Sequence, residues 1–204
     1  MFSRIKVECA GLAVAASNAL AFLPANSTVK VARMRLRGPL IDFMATDTYA
    51  AGNGWTRANS ISGDEAFELL MSRDALTDLE RTARMGKKVE GELSVTDTGF
   101  TFLVLDGASE PIRHEAIVNA EASEMFDVID GMLMPEQEFR TAFQPMLLQR
   151  FSKVKADKDQ RVADVAIDDP DSPVLIKIGT EFRGLVMPVS RSVHAELIGE
   201  EGLW

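Results

Sequence analysis

Hydrophobic and polar residues alternate with the period of a strand in some segments and with the period of a helix in others. These segments follow one another in a fixed order. Phe2–Glu8 places Ile5 and Val7 on one face between polar neighbours, which predicts a strand. The alanine-rich run Leu12–Leu23 predicts a helix that ends before Pro24. Later alternating runs predict three further strands, which are Val29–Arg37, Leu40–Asp47 and one near Trp55–Ser60. The first unit is therefore a strand, a helix and an antiparallel meander.

The same order of elements recurs twice downstream. The second unit has a predicted helix at Arg73–Met85, with Ser72 as its N-cap and Gly86 at its end. Its predicted strands are Ala66–Met71, Val89–Thr96, Phe100–Leu105 and Ile112–Asn119. The third unit has a predicted helix at Met146–Lys155, which starts beside Pro145. Its predicted strands are Phe139–Phe143, Arg161–Ile167, Val174–Gly179 and Phe182–Pro188.

This repetition predicts an α+β fold made of βαβββ half-units, with the helices packed on one face of antiparallel sheets. The expected first domain is 1–122, with half-units 1–60 and 64–120. The third half-unit is expected at 123–191, and an acidic tail at 192–204.

Two of the predicted helices carry basic side chains opposite their apolar stripes. The second helix presents Arg81 and Arg84, with Lys88 just beyond it, and the third presents Arg150 and Lys153. An ordinary solvated face would explain either helix alone. Equivalent basic faces in a chain of net charge −9 favour a surface that meets phosphates.

The composition of the 204-residue chain excludes several kinds of site. The single Cys9 and two histidines predict no disulfide and no transition-metal cluster. The sequence has no phosphate-binding P-loop and no nucleophile elbow, and the Gly52-Asn53-Gly54 segment is expected to be a turn. No catalytic residues, metal site or cofactor are therefore expected. No apolar run is long enough for a transmembrane helix, so no membrane partner is expected.

Three groups of segments resemble one known family, the bacterial DNA polymerase sliding clamps, which are the β subunit of DNA polymerase III. The first group is Arg33–Gly38 with Met44–Tyr49, and the second is Phe67–Leu70 with Ser72–Leu76. The third combines Phe143–Pro145, Pro173–Ile176 and Val186–Val189. The order and spacing of these segments carry the resemblance, which extends to about Arg191.

The resemblance implies a sliding clamp, a processivity factor that encircles double-stranded DNA and tethers a replicative polymerase. Such a clamp is not an enzyme, and it needs only a basic inner face, which fits an acidic chain. Expected partners are DNA, a polymerase, other proteins with a clamp-binding motif and a clamp loader, around a homo-oligomer. The expected location is the cytoplasm of a bacterial cell or a phage-infected host.

The family also has a hydrophobic pocket that receives short peptide motifs. Residue by residue, the resemblance assigns one wall of this pocket to Leu36, Thr46 and Thr48. It assigns the other wall to the segment Val186, Met187, Pro188 and Val189.

Two departures from the family leave alternatives open. The chain has three half-units where a chain of the family has six, so a ring of family size needs twice as many copies of this chain, which is four. A clamp-like adaptor or decoy, which binds clamp-dependent proteins without encircling DNA, is the alternative function. The tail ending in Gly202–Trp204 is either an unstructured terminus or a pseudo-ligand for a pocket.

Overall fold

A computed structural model describes residues 2–86, 88–133, 143, 145–154, 162–167, 169, 172–178 and 182–188. The chain forms two compact units, Met1–Pro135 and Glu136–Trp204, which are described one at a time. The first unit extends past residue 122, the expected end of the first domain, because one more helix packs back onto it.

Among its described residues, the first unit contains eight strands and three helices. The first half-unit is β1 Phe2–Glu8, α1 Cys9–Leu20, β2 Val31–Arg37, β3 Leu40–Thr46 and β4 Ala51–Gly63. The second is β5 Ala66–Ser72, α2 Arg73–Met85, β6 Glu90–Thr96, β7 Gly99–Val104 and β8 Ile112–Glu115, followed by α3 Ala120–Leu133. The strands form one antiparallel sheet in the order β5-β2-β3-β4-β1-β6-β7-β8. The repeated unit predicted from the sequence is therefore confirmed in this part of the chain.

The two half-units exchange their first strands, which gives the sheet a twofold internal symmetry. β1 pairs with β4 of its own half-unit and with β6 of the other. β5 pairs in the equivalent way with β2 of the other half-unit. Its contact with its own half-unit is reduced to a bridge between Leu70 and Ile117, just beyond β8. This β5–β8 seam is therefore much shorter than the β1–β4 seam, where five residue pairs are in register.

The main hydrophobic core lies between the sheet and the α1–α2 helix pair. Leu12 of α1 and Leu79 of α2 are fully buried there against Phe43 and Phe102 of the sheet. The alternation of β1 places Ile5 and Val7 in the same core, as its sequence predicts. Burial of these side chains, and not helix propensity, holds the alanine-rich α1 in place.

Helix α1 occupies Cys9–Leu20, so the predicted span Leu12–Leu23 is displaced toward the C-terminus. The amide of Phe22 donates to the carbonyl of Ala19 (2.9 Å), and that of Leu23 donates to Leu20 (3.1 Å). Each bond joins a residue to the third residue before it, whereas α-helical bonds reach the fourth. The chain therefore forms tighter turns before Pro24.

The Gly52-Asn53-Gly54 segment lies inside β4, so the prediction of a turn there is wrong. A Cβ atom at Gly54 would lie 2.2 Å from the backbone oxygen of Ala15 in α1. The glycine lets the helix approach the strand closely, which is a packing role that a turn signal in the sequence does not distinguish.

Helix α3 was not predicted, and it shortens the strand that precedes it. β8 ends at Glu115 and not at Asn119, because the Asn119 side chain accepts a hydrogen bond from Ala122 N (3.0 Å) and begins the helix. Phe126 of α3 is fully buried in a second, smaller core with Met44 and Leu70. This core lies on the outer face of the sheet, which is the face opposite to α1 and α2. The spacing of Ala122, Phe126 and Ile129 is the sequence signal that indicates this helix.

The described residues of the second unit form a short helix and a three-stranded antiparallel sheet. These are α4 Pro145–Phe151, β9 Ala163–Ala166, β10 Val174–Ile178 and β11 Phe182–Val186, with strand order β11-β10-β9. Phe151 packs edge-on against Phe182 with ring centroids 6.2 Å apart. The helix ends before Lys155 because the Lys153 amide donates to Arg150 (3.2 Å) in a tighter turn. Except for Phe143, the predicted strand Phe139–Phe143 lies outside the described residues, as does the tail 192–204.

Candidate nucleic-acid and peptide interfaces

Helix α2 carries the first group of residues predicted to face DNA. The helix starts where Ser72 Oγ accepts a hydrogen bond from Ala75 N (3.0 Å), and its apolar stripe is buried against α1. Arg81 and Arg84 are exposed on its opposite side, and Lys88 is exposed just after its end. All three predicted residues are therefore exposed to solvent in the structure.

Acidic side chains on the same helix offset the positive charge of Arg81 and Arg84. Arg81 Nη2 lies 2.7 Å from Asp78 Oδ1, and Arg84 forms an ion pair with Glu80. The other carboxylate oxygen of Asp78 lies 3.3 Å from His114 Nε2 on β8. Helix α1 contributes no basic residue to this surface, where Val14 and Asn18 are exposed. The α1–α2 surface is therefore rich in charge but close to neutral.

The second group of predicted DNA-facing residues lies at the end of α4. Arg150 occupies the last turn of that helix, and Lys153 follows two residues after it. Both side chains are exposed, and neither forms an ion pair with any residue that the structure describes. A cation at a helix C-terminus is favoured by the helix dipole, which is a local reason for a basic residue at this position.

The first predicted pocket wall contains two buried residues and one exposed residue. Leu36 is only 1% exposed and belongs to the main core, and Thr46 is 3% exposed. Thr46 Oγ1 donates to the Ala50 carbonyl (2.9 Å) and accepts from Thr48 N (3.1 Å). Thr48 is exposed and has a φ of 79°. Leu36 and Thr46 therefore lie beneath the surface, and Thr48 is the member of this wall that solvent reaches.

The turn after Thr46 is rigidly organised by the next residue. Asp47 Oδ1 accepts hydrogen bonds from Tyr49 N (2.9 Å) and Ala50 N (2.8 Å). The bonds from Ala50 and Tyr49 lower the pKa of the Asp47 carboxyl. Tyr49 is thereby held with 96% of its surface exposed.

The second predicted pocket wall lies at the end of β11. Val186 is 3% exposed and pairs with Val174, so it belongs to the core of the second unit. Met187 is 52% exposed, Pro188 is partly exposed, and Val189 lies outside the described residues. The two predicted walls thus belong to different compact units.

A network of buried ion pairs on the outer face of the first unit was not predicted. Arg33, Arg35 and Arg37 alternate along β2, so their side chains share the face that α3 covers. Asp130 of α3 accepts from Arg35 Nη1 (3.0 Å) and Nη2 (2.8 Å), and it also binds Arg37. The period-two arrangement of three arginines was the available signal, but it does not reveal which acids meet them.

Arg33 is the most deeply buried member of this network. Its side chain is 0% exposed, and Nη1 lies 2.9 Å from Asp127 Oδ1. Its guanidinium also lies 5.6 Å from the centroid of the Phe126 ring. Burial raises the pKa of the Asp42 carboxyl against the opposing effect of Arg35, which lies 3.2 Å away. The network therefore fixes α3 to the sheet through charge as well as through Phe126.

Similarity to solved structures decides the fold. A Pseudomonas aeruginosa DNA polymerase sliding clamp with ligand superposes with a TM-score of 0.68 at 9% identity, over 91% of this chain and 50% of that one. The clamp of Bacillus subtilis gives 0.65 at 12% identity, over 91% and 49%. The C. crescentus beta sliding clamp gives 0.65 at 12% identity, over 91% and 50%.

This chain has the sliding-clamp fold. It spans about half the length of the clamps that it matches. No protein-family model matches the sequence, and no curated protein matches it. Among the described residues, no helix is long and apolar enough to cross a membrane, and no cluster of His, Cys, Asp and Glu could hold a metal ion. The resemblance seen in the sequence is thus confirmed at the level of the fold.

Proposed function

We propose that this chain is a compact clamp-type processivity factor, which surrounds double-stranded DNA as a homo-oligomer and tethers a polymerase. The observation that carries the proposal is the clamp fold, which extends over 91% of the chain. Tethering raises the effective concentration of the polymerase at the primer end without any chemical step, so the proposal assigns no catalytic residue.

The proposed DNA-facing residues are Arg81, Arg84 and Lys88 of the first unit and Arg150 and Lys153 of the second. The acidic partners of Arg81 and Arg84 do not prevent this role. Both arginine side chains are about two-thirds exposed, at 70% and 66%, and exposed ion pairs contribute only about 0–1 kcal/mol. A phosphate can therefore replace the carboxylate at small cost, which suits loose contact with sliding DNA.

The half-length chain makes the oligomeric state the first test. A ring of the same size as the family's ring needs four chains of 22.3 kDa each, and light scattering should detect a stable closed oligomer with the mass of four chains. A strict monomer at every concentration would contradict the ring.

A charge-reversal pair tests the proposed DNA surface. Arg81→Glu with Arg84→Glu should weaken binding to a labelled DNA duplex at low salt, measured by fluorescence anisotropy. The matched control is Lys6→Glu with Arg57→Glu, which changes the net charge equally at exposed positions on β1 and β4. Equal loss of affinity in both pairs would show a general charge effect and count against an inner face on α2.

We propose that Thr48 of the first unit and Met187 and Pro188 of the second contact the peptide motif of the polymerase. Leu36 and Thr46 would support Thr48 from below, and Val186 and Val189 flank the Met187-Pro188 segment in the chain. Met187 is unbranched and flexible, which suits a site that accepts varied peptides. Met187→Ala should weaken binding of a labelled clamp-binding peptide. Leu185→Ala, at a position 62% exposed on β11, just before Met187, is the control.

The adaptor or decoy remains the second candidate, and the near-neutral α1–α2 surface favours it. An adaptor would bind the peptide as strongly as a clamp does but would show no dependence on the basic helix residues. Replacing Arg81, Arg84, Arg150 and Lys153 together by Glu should abolish clamp-dependent DNA synthesis and leave peptide binding intact. Unchanged synthesis would favour the adaptor.

A further inference from the structure

A polar groove of about 640 Å³ crosses β1, β6, β7 and β8 of the first unit. Its lining residues Arg4, Ser94 and Thr101 alternate along the strands with the core residues Ile5, Leu93 and Phe102, so its floor is the sheet face opposite to the helices. The volume lies within the range of small-molecule sites.

Four side chains form a single row across this groove. Arg4 stands opposite Ser94, Ser94 stands opposite Thr101, and Thr101 stands opposite Arg113. With strands about 4.8 Å apart, the backbones of the two arginines are separated by about 14 Å across a floor of two short hydroxyl side chains. Two long arginine side chains can converge from the sides on one anion above that floor.

The donors of this row are largely uncommitted. Arg4 is engaged through Nε, which lies 3.4 Å from Glu92 Oε1, and its terminal nitrogens form no hydrogen bond with any residue that the structure describes. Within the part of the chain that the structure describes, the side chains of Arg113, Ser94 and Thr101 form no hydrogen bond or ion pair. This contrasts with Arg81 and Arg84, whose guanidinium groups already meet carboxylates.

An aromatic ring stands next to the row of donors. Phe2 lies opposite Thr96 in the adjacent row and is 48% exposed as a residue, and the Arg4 guanidinium carbon lies 5.9 Å from the centroid of its ring. Glu115 borders the groove beyond Gly99 and limits the space available to a second anionic group. Guanidinium and hydroxyl donors suit a phosphate, and an exposed ring beside them suits a base.

We propose that this groove binds a nucleoside phosphate, with the phosphate held between Arg4 and Arg113 and the base stacked on Phe2. The nucleoside phosphate is either a free mononucleotide or one unit of a single strand. The site lies on the face opposite to the α1–α2 helix pair and does not depend on ring formation or on duplex binding.

Binding measurements on the full chain test the proposal with three probes: inorganic phosphate, thymidine monophosphate and a short fluorescein-labelled oligothymidylate. Arg113→Gln should raise the Kd for both thymidine probes about tenfold or more, since it removes charge-assisted hydrogen bonds. Arg57→Gln, at an exposed position on β4, should leave the Kd unchanged. Equal affinities of the two thymidine probes indicate a free nucleotide, and a tighter, salt-sensitive oligonucleotide indicates a strand.

Two further variants separate the contributions of the groove. Thr101→Val keeps a β-branched side chain and should weaken binding of all three probes by removing one hydroxyl. Phe2→Leu should weaken the thymidine probes and spare inorganic phosphate. The proposal is overturned if no probe binds saturably, or if Arg113→Gln and Thr101→Val, folded by circular dichroism, bind thymidine monophosphate as the Arg57→Gln control does.

Discussion

Asp130→Asn is the sharpest test of the buried ion network that fixes α3 to the sheet. The Asp130 side chain is 15% exposed and accepts two hydrogen bonds from Arg35, and it also pairs with Arg37 and, at 3.5 Å, with Arg33. Asparagine has nearly the same shape but no charge, and one of its two oxygen positions becomes an NH2 donor. The change therefore leaves buried guanidinium groups facing an uncharged and partly repulsive partner.

The expected loss of unfolding free energy is about 3 kcal/mol, the lower end for breaking a buried ion pair, because Arg35 keeps Asp42. Asp127→Asn is the matched control on the same helix. Asp127 is 69% exposed and contributes a single ion pair to Arg33, so the control should cost less than about 1 kcal/mol.

Urea unfolding in a Trp204→Phe background measures both values. The chain has two tryptophans, so this background leaves Trp55, on β4 opposite Asp42, as the fluorescence reporter for the first unit. The dependence on urea concentration should stay constant, so that a shifted midpoint reports stability. If Asp130→Asn and Asp127→Asn differ by less than about 0.5 kcal/mol, the network does not hold α3 and the reasoning from burial is wrong.

Further expected outcomes concern glycine packing, the thiol and acid stability. Gly54→Ala should lower stability by at least about 2 kcal/mol because its Cβ meets a backbone oxygen, whereas Gly131→Ala, with open space around it in α3, should raise the urea midpoint. Burial raises the pKa of the Cys9 thiol, so Ellman's reagent should label the native protein at neutral pH no faster than it unfolds. The folded protein lowers the pKa of Asp47 below its ordinary value of 3.8. The ionised carboxylate therefore adds stability at pH values above 3.8, and this contribution is lost as the pH falls through the lowered pKa. Asp47→Asn should flatten the acid limb of a stability–pH curve.

The strands and helices of the first unit were largely predictable because local signals and core packing agree there. Helix α2 occupies Arg73–Met85 as expected, since Ser72 caps it and Leu76 and Leu79 fall on one buried face. Strand β1 likewise follows its own alternation. In both elements the residues that favour the local structure are those that the core needs.

The sequence was less informative where a tertiary contact outweighs the local signal. Gly52 and Gly54 indicate a turn by composition, yet Gly54 serves the approach of α1 to β4 and Gly52 leaves room for the Phe22 side chain. Helix α3 depends on Phe126 and Asp130 finding partners on β2 and β5, which are distant in sequence. Period alone could suggest this helix, but it could not place it on the outer face.

The candidate sites divide in the same way. Basic positions such as Arg81 could be predicted from their helical spacing, but the carboxylate of Asp78 that compensates it could not, because pairing depends on side-chain geometry. The resemblance that assigned Leu36 to the pocket gives no information about how deeply a residue is buried. In the structure, the Leu36 side chain is buried in the main core. The outer groove was not predicted because its row of four side chains comes from four separate strands.

The unequal seams of the sheet give this symmetric unit a preferred place to open. The β1–β4 seam has five registered pairs, whereas Leu70 and Ile117 provide one bridge at the β5–β8 seam. During the local openings that permit hydrogen exchange, the sheet should separate first at the short β5–β8 seam. Amides of β8 should then exchange sooner than those of the symmetry-related β4, and the unit would deform by separation of β5 from the β8 end of the sheet while the other strand pairs stay intact.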